Sequence, residues 1–495
     1  MNRIRRQSIR GASFLYLGQL IGIVNKLILF PLVFLGNESY WGILSWFYSI
    51  AFLSISLATW GFPKVLVRFL PVYKRGSKQI ILFVIKFSAA GLGILLSVLF
   101  LAGDRLTTLN KNPDLVQENY PILILILISF WFFEMGGSIF QSRFKSSIPL
   151  FVNNVIIRIS TSILLLCMYW FNLNVSSFLW IQAISYVLIH GGLFLFALRN
   201  EHIFDAGIDK GNDKLEYSEF KRFASFSAMN SLSAQGVKQL DSFLLGGMLP
   251  FAFSAILDAL KNITSVVEMP SRAILQSSAP VIVECIHQSN NKALKNIYYK
   301  TSMVQFSISA ILFLFIVFNS DWIFNLVPTQ GFDLIPDLIL ITGIGKLVDS
   351  LTGANSTIIG NSKHYKFNLY SSLYLLGLLV VLQLILIPRL ELMGAAIGMA
   401  SGTIIINIVR SLYLFKKEGW HPFRHKHFSV VLFFSSLIFL AYNLKPIEFS
   451  VNTLIINIIF ALIVSIFMIW IKPIEEIELL LKKLKIPLKI PSKGF

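Results

Sequence analysis

Four cations, Lys26, Arg158, Lys238 and Lys261, and three carboxylates, Glu134, Asp241 and Asp258, interrupt stretches that are otherwise apolar. A charge deep in such a stretch costs about 2.5–3.5 kcal/mol on insertion scales and normally faces a cavity or a partner, so each is a candidate functional group. Their chemistry is that of binding. Ammonium and guanidinium groups hold phosphate oxygens, while a carboxylate holds a cation or carries a proton. Amide side chains at Gln19, Asn25, Asn154 and Gln235 lie in the same stretches and can both donate and accept hydrogen bonds.

These groups recur at helical spacing. Ser254, Asp258, Lys261, Ser265 and Glu268 fall on one face of a helix, as do Ser231, Gln235, Lys238 and Ser242. Shorter stripes join Gln19, Gly22 and Lys26; Asn154, Arg158 and Thr161; and Thr342, Lys346 and Asp349. Five polar faces in an apolar setting predict a water-filled central cavity. Asp258 with Lys261, Lys238 with Asp241, and Lys346 with Asp349 are spaced to pair within a helix. Lys26 and Arg158 have no acid within a turn and need a partner from another helix, water or an anionic substrate. Glu134 is the competing partner, and with Asp241 and Asp258 it is a candidate for coupling transport to a proton or sodium ion. Lys86 and Arg410 sit near helix ends and are expected to snorkel to the headgroups.

The elements that must position these residues are membrane spans. The chain has 495 residues, 55% of them hydrophobic and 14% charged, and apolar runs of spanning length recur throughout. The reading is an all-α integral membrane protein of about fourteen transmembrane helices: two pseudo-symmetric six-helix lobes around a central cavity, plus two peripheral helices. The first helix covers about 11–35, the fifth 150–171, the seventh 223–247, the eighth 251–272 and the tenth 333–358. The N-lobe is residues 1–198, a polar linker follows at 199–222, and the C-lobe is 223–416. The two peripheral helices fall at 427–471 and an amphipathic basic cytoplasmic tail at 472–495.

The net charge of +18 is a topology signal, with no call for nucleic acid. About 32 Lys and Arg gather on the side of both termini and about four on the other, which places both termini in the cytoplasm. The apolar run after the basic start lacks a small-residue cleavage site and reads as a retained helix. Two cysteines, Cys167 and Cys285, give no disulfide framework and no metal-ligand spacing. A duplication is hinted at by Gly11–Gly36 and Phe223–Met248, in which Ala12, Ser13, Phe14, Leu20, Lys26 and Leu32 match Ala224, Ser225, Phe226, Leu232, Lys238 and Leu244. Lys238 has Asp241 beside it and Lys26 does not, so Lys26 is the better candidate for an unpaired charge.

The basic start with SIRGASFLYLGQLIGIVNKLILFPLVF, the following SYWGILSWFYSIAFLSISLATWGFPKVLVRFLP, and MPSRAILQSSAPVIVECIHQSNNKALKNIYYKTS resemble the polysaccharide-export branch of the multidrug/oligosaccharidyl-lipid/polysaccharide (MATE-like) superfamily, the bacterial flippases of O-antigen type. The resemblance covers nearly the whole chain. It implies a bacterial inner-membrane flippase moving an undecaprenyl-diphosphate-linked oligosaccharide outward, with no cofactor beyond a proton or sodium coupling ion and with polysaccharide polymerase or export machinery as partners. Diphosphate contacts are then expected at Lys26, Arg158, Lys238 and Lys261, and glycan contacts at Gln19, Asn25, Asn154 and Gln235. Related lipid II flippases use cations on the first and eighth helices, where this chain supplies lysines. A lipid II flippase, or a cation or drug antiporter of the same fold, is the alternative. An enzyme is disfavoured, because the outer loops hold no base and nucleophile pair and the chain has no GxxxxGK[ST] stretch.

Overall fold

The computed structural model describes residues 2–71, 77–108, 111–201, 217–325, 335–446, 448 and 450–471. The expected tail at 472–495 and most of the linker at 199–222 lie outside the described residues. Among those residues there is no strand. Ten helices among them are long and apolar enough to cross a membrane by length and composition.

Packing divides the chain into two compact units. The first takes Met1–Asn262 and Leu379–Ala395, the second Ile263–Leu378 and Ala396–Phe495. The elements run α1 (Asn2–Val24), a π-helix π1 (Asn25–Leu29), α2 (Phe30–Val33), α3 (Glu38–Ala58), α4 (Phe62–Phe69), α5 (Ser77–Thr108), α6 (Pro113–Ser142) and α7 (Ser147–Phe151). A second π-helix, π2 (Val152–Ile156), leads into α8 (Ile157–Phe171), α9 (Val175–Asn200), α10 (Tyr217–Met248) and α11 (Phe251–His287). Then come α12 (Asn291–Asn325), α13 (Ile335–Thr352), α14 (Asn355–Asn361), α15 (Tyr365–Glu418), α16 (His425–Asn443) and α17 (Val451–Ile471).

Three of the expected spans, α10, α11 and α13, are missing from the apolar ten. They carry three of the polar stripes, and the residues that line a cavity are those that lower a helix's hydropathy. A further two spans are joined in α15. Its 54 residues include Glu391 at φ 50°, ψ −127°, and Gln383 Nε2 donates to the carbonyl of Ala395 at 3.2 Å. Twelve residues of helix rise about 18 Å, so the chain reverses between them. Phe367 stacks on Tyr413 with ring centroids 3.6 Å apart, which makes α15 a helical hairpin. Arg410 is therefore no snorkelling residue: it donates to Ser372 at 3.0 Å across the hairpin. Lys86 is exposed.

In the first unit, α3 is the central helix. Trp46 Nε1 donates to the Phe243 carbonyl of α10 at 3.0 Å, and Phe52 and Tyr48 pack on Phe130 of α6. The α3 to α4 turn depends on Gly61, which has a φ of +70° and lies against Ala224 and Ala228, leaving no space for a side chain.

In the second unit, α16 and α17 dock on α12. His427 Nε2 lies 3.1 Å from Ser302 Oγ, and Asn457 and Asn319 exchange hydrogen bonds at 3.0 Å. The remainder of both helices turns Phe428, Phe439, Ile458 and Ile466 outward, an apolar face fit for lipid. Beyond the spanning part of α11, burial pushes the Cys285 thiol above its ordinary value and the Glu284 carboxylate adds to the effect, the profile of an inert structural thiol.

A cationic cavity in the first unit

The site begins at two opposed π-segments. A π-turn carries one extra residue and rotates the side chains that follow, a device common at functional sites. π1 carries Asn25 and Lys26, π2 carries Asn154, and Arg158 follows one turn later. The two helices approach through Gly18 and Gly22, a small-xxx-small pair of the kind that brings membrane helices together. A Cβ on Gly18 would meet the Asn154 backbone, and one on Gly22 the Arg158 guanidinium. Asn25 clasps the seam: its Nδ2 donates to the Arg158 carbonyl at 3.0 Å and its Oδ1 accepts from Ser162 at 2.7 Å. Arg158 itself donates to the Gly18 carbonyl. Gly22→Leu should overpack this seam by about 1–3 kcal/mol and lower the melting temperature of the purified protein, whereas an unchanged melting curve would show that the helices do not meet here.

Lys26, Arg158, Lys238 and Lys261 all line one cavity of about 320 Å³, together with Asp258, Asn25, Gln182 and Asn262. Phe30, Leu44, Tyr48, Phe52 and Tyr186 supply its apolar wall. The four expected phosphate-binding cations thus converge. The glycan set does not: Asn25 is in the wall but bonded across the seam, Gln235 lines a separate recess, and Gln19 and Asn154 are not among the residues lining either space. Asn154 Nδ2 instead donates to the Leu150 carbonyl at 3.0 Å.

Lys26 is not the unpaired charge that its own helix suggests. Its ammonium is 2.6 Å from Asp258 Oδ2, with the two side chains 18% and 20% exposed, and it sits 3.8 Å from the centroid of the Phe30 ring. Trp41 Nε1 donates to the same Asp258 oxygen at 2.8 Å. Lys261 pairs with Asp241 at 2.5 Å and donates to Ser242 Oγ at 2.7 Å and the Lys238 carbonyl at 3.2 Å. In the second unit Lys346 pairs with Glu268 at 2.8 Å.

Each of these cations therefore pairs across helices, and Lys261 and Lys346 do so in preference to the acid three residues away on their own helix. Two of the expected local pairs, Lys238 with Asp241 and Lys346 with Asp349, have the lysine N-terminal to the acid, the weaker orientation on a helix. Asp349 accepts from Asn407 Nδ2 at 2.8 Å instead. Glu134 is not the partner of Lys26 or Arg158 either. It lines a second recess with Lys64, Lys238 and Gln235.

Several wall residues escaped the sequence reading. Tyr48, Gln182 and Tyr186 lie in apolar runs where a single polar atom gives no periodic signal. Gln182 is held by a relay in which Thr161 Oγ1 donates to the Ile157 carbonyl at 2.9 Å and accepts from Gln182 Nε2 at 2.8 Å. Among the described residues no group of three or more His, Cys, Asp or Glu is arranged to hold a metal.

Four cations thus line one cavity of a helical fold in which ten helices, among the described residues, are long and apolar enough to cross a membrane, and the class is a multi-pass membrane protein. The chain belongs to the polysaccharide biosynthesis protein family, whose model matches residues 8–286. In fold it is similar to the lipid II flippase MurJ in an inward closed conformation, at 14% identity over 96% of this chain and 99% of that one, with a TM-score of 0.72. It is also similar to an inward-facing MATE multidrug resistance transporter of the MOP superfamily, at 14% identity over 87% and 98% with a TM-score of 0.61. A Vibrio cholerae MATE transporter, VcmN, follows at 14% identity over 84% and 99%, TM-score 0.54. No curated protein matches the chain in sequence. Family and fold together make it a polysaccharide biosynthesis protein with the fold of the MATE-like flippases and transporters.

Proposed function

We propose that the chain moves an undecaprenyl-diphosphate-linked oligosaccharide from the cytoplasmic to the outer leaflet of the bacterial inner membrane for surface polysaccharide synthesis, by alternating access. Both termini lie in the cytoplasm in this reading, and polymerase or export machinery takes the product. The observation that carries it is the excess of positive charge in one cavity, Lys26, Arg158, Lys238 and Lys261 against Asp258 and Asp241. A diphosphate ester brings the missing negative charge, and its isoprenoid tail stays with apolar surface.

Asp258 and Asp241 hold the lysines while the carrier is empty, which spares an unpaired ammonium in a low-dielectric space. Phosphate oxygens entering the cavity exchange with these carboxylates at Lys26 and Lys261, and the carboxylates retake the lysines on release. Asp241 and Asp258 thereby serve as internal counter-anions rather than as coupling-ion sites. The same excess of cations disfavours a cation or drug antiporter, which needs a free acid for its cargo. A lipid II flippase shares the diphosphate chemistry and differs only in the glycan.

The test is binding by the purified protein in lipid nanodiscs. Undecaprenyl diphosphate should bind at least about tenfold more tightly than undecaprenol, one decade being ~1.4 kcal/mol, and Lys26→Ala should remove the difference. Equal affinity for the two lipids, or preferential uptake of an organic cation, would refute the reading.

A further inference from the structure

A second recess, of about 220 Å³, opens beside the cationic cavity in the first unit and shares Lys238 with it. Its wall comes from the end of α3 and the start of α4, from Glu134 on α6, and from Asn230, Ser231 and Gln235 on α10. Where the first cavity is lined by four cations and several aromatic rings, this recess mixes hydrogen-bonding types. Lys64 and Lys238 are donors only and the Glu134 carboxylate is an acceptor only, while Asn230, Gln235 and Ser231 offer both. Thr59 Oγ1 donates to the Ile55 carbonyl at 2.8 Å, leaving its lone pairs for a ligand.

Glu134 has no hydrogen bond and no ion pair within 4 Å among the described residues, although Lys64 and Lys238 share its recess. A carboxylate in a half-buried wall is stabilised by hydrogen-bond donors, and neighbouring hydroxyls on one ring supply two at carboxylate spacing. The space equals that of about seven liquid waters at ~30 Å³ each, which suits a single sugar ring rather than an extended glycan.

We infer that this recess is the subsite for the first sugar of the lipid-linked substrate, an uncharged ring whose hydroxyls donate to Glu134 and accept from Asn230, Gln235 and Lys64. The inference rests on the diphosphate reading above: phosphate at Lys26, Lys261 and Lys238 leaves the sugar ester oxygen next to Lys238, at the join between the two spaces. Glu134 is then a sugar-recognition residue and carries no coupling ion. An acidic sugar is disfavoured, because its carboxylate would meet that of Glu134.

The experiment compares undecaprenyl diphosphate with the same lipid carrying one hexose or one N-acetylhexosamine, binding to the full chain in nanodiscs. At least one sugar-bearing lipid should bind about tenfold more tightly than the bare diphosphate. Glu134→Ala should cut that ratio to about twofold or less with the affinity for bare undecaprenyl diphosphate kept, Glu134→Gln should retain part of it, and Asn230→Ala should reduce it. A ratio near one in the wild type, or an unchanged ratio in Glu134→Ala and Asn230→Ala, overturns the subsite and leaves the diphosphate reading standing. Glu134 variants that keep the ratio but lose dependence of flipping on a proton or sodium gradient also overturn it. Failure of the wild type to bind any of these lipids overturns both.

Discussion

Cells whose only copy carries Lys26→Ala should lose surface polysaccharide by more than tenfold while the protein stays in the membrane at wild-type abundance. Lys26 is where the cavity's charge, aromatic packing and helix geometry meet: π1 aims it, Phe30 lies under its ammonium, and Asp258 holds it. In the proposed function, removing it deletes a diphosphate contact, and it leaves Asp258 without its cation. Breaking one side of a fully buried pair costs about 3–5 kcal/mol, and the loss here falls below that range because the pair is about a fifth exposed and Trp41 still donates to Asp258. The double variant Lys26→Ala with Asp258→Ala separates the two effects. It should recover stability, read by thermal melting, without recovering export. Recovery of export by the double variant would mean that Lys26 serves the fold and not the substrate.

The second large effect has the opposite sign on binding. Asp258→Asn keeps the side chain's shape and its place beside Trp41 and Asn262 but removes the charge that competes with phosphate for Lys26. Affinity for undecaprenyl diphosphate should rise about tenfold, and the flipping rate should fall, since the carboxylate no longer helps the lysine release its cargo and the empty carrier returns with an unpaired ammonium. Binding isotherms and a flipping assay on the same preparation check both halves. Weaker binding in Asp258→Asn would make this acid part of the substrate contact instead of its competitor.

Much of this arrangement was written in the order of residues, because helical periodicity reports which side chains share a face. The stripe from Ser254 to Glu268 gave that face on α11, and the four cations were nameable one by one. Periodicity says nothing of what a face meets. One stripe in fact serves two clusters: Asp258 and Lys261 belong with Lys26 and Asp241 in the first unit, and Glu268 with Lys346 in the second. The choice among these partners is made by helix packing, which joins residues 20, 78 and 232 positions apart for Lys261 with Asp241, Lys346 with Glu268 and Lys26 with Asp258. The π-segments were equally hidden, since an inserted residue in a helix changes no composition. Lys26 and Lys238, twins in the sequence echo, differ for this reason: one sits on π1, the other on the regular helix α10. Asn25 and Asn154 look like glycan contacts because polar residues in apolar runs advertise a cavity. In the structure Asn25 bridges two helices through Arg158 and Ser162, and the Asn154 amide donates to the Leu150 carbonyl one turn back.

The central claim is that the cationic cavity carries a diphosphate-linked sugar lipid across the bilayer. Purified protein reconstituted into liposomes, supplied with undecaprenyl diphosphate bearing a single sugar in the inner leaflet, tests it by the appearance of that sugar to an impermeant enzyme outside. The account predicts transfer well above protein-free liposomes for the wild type and background transfer for Lys26→Ala. Equal transfer with and without the protein, or undiminished transfer by Lys26→Ala, would contradict it.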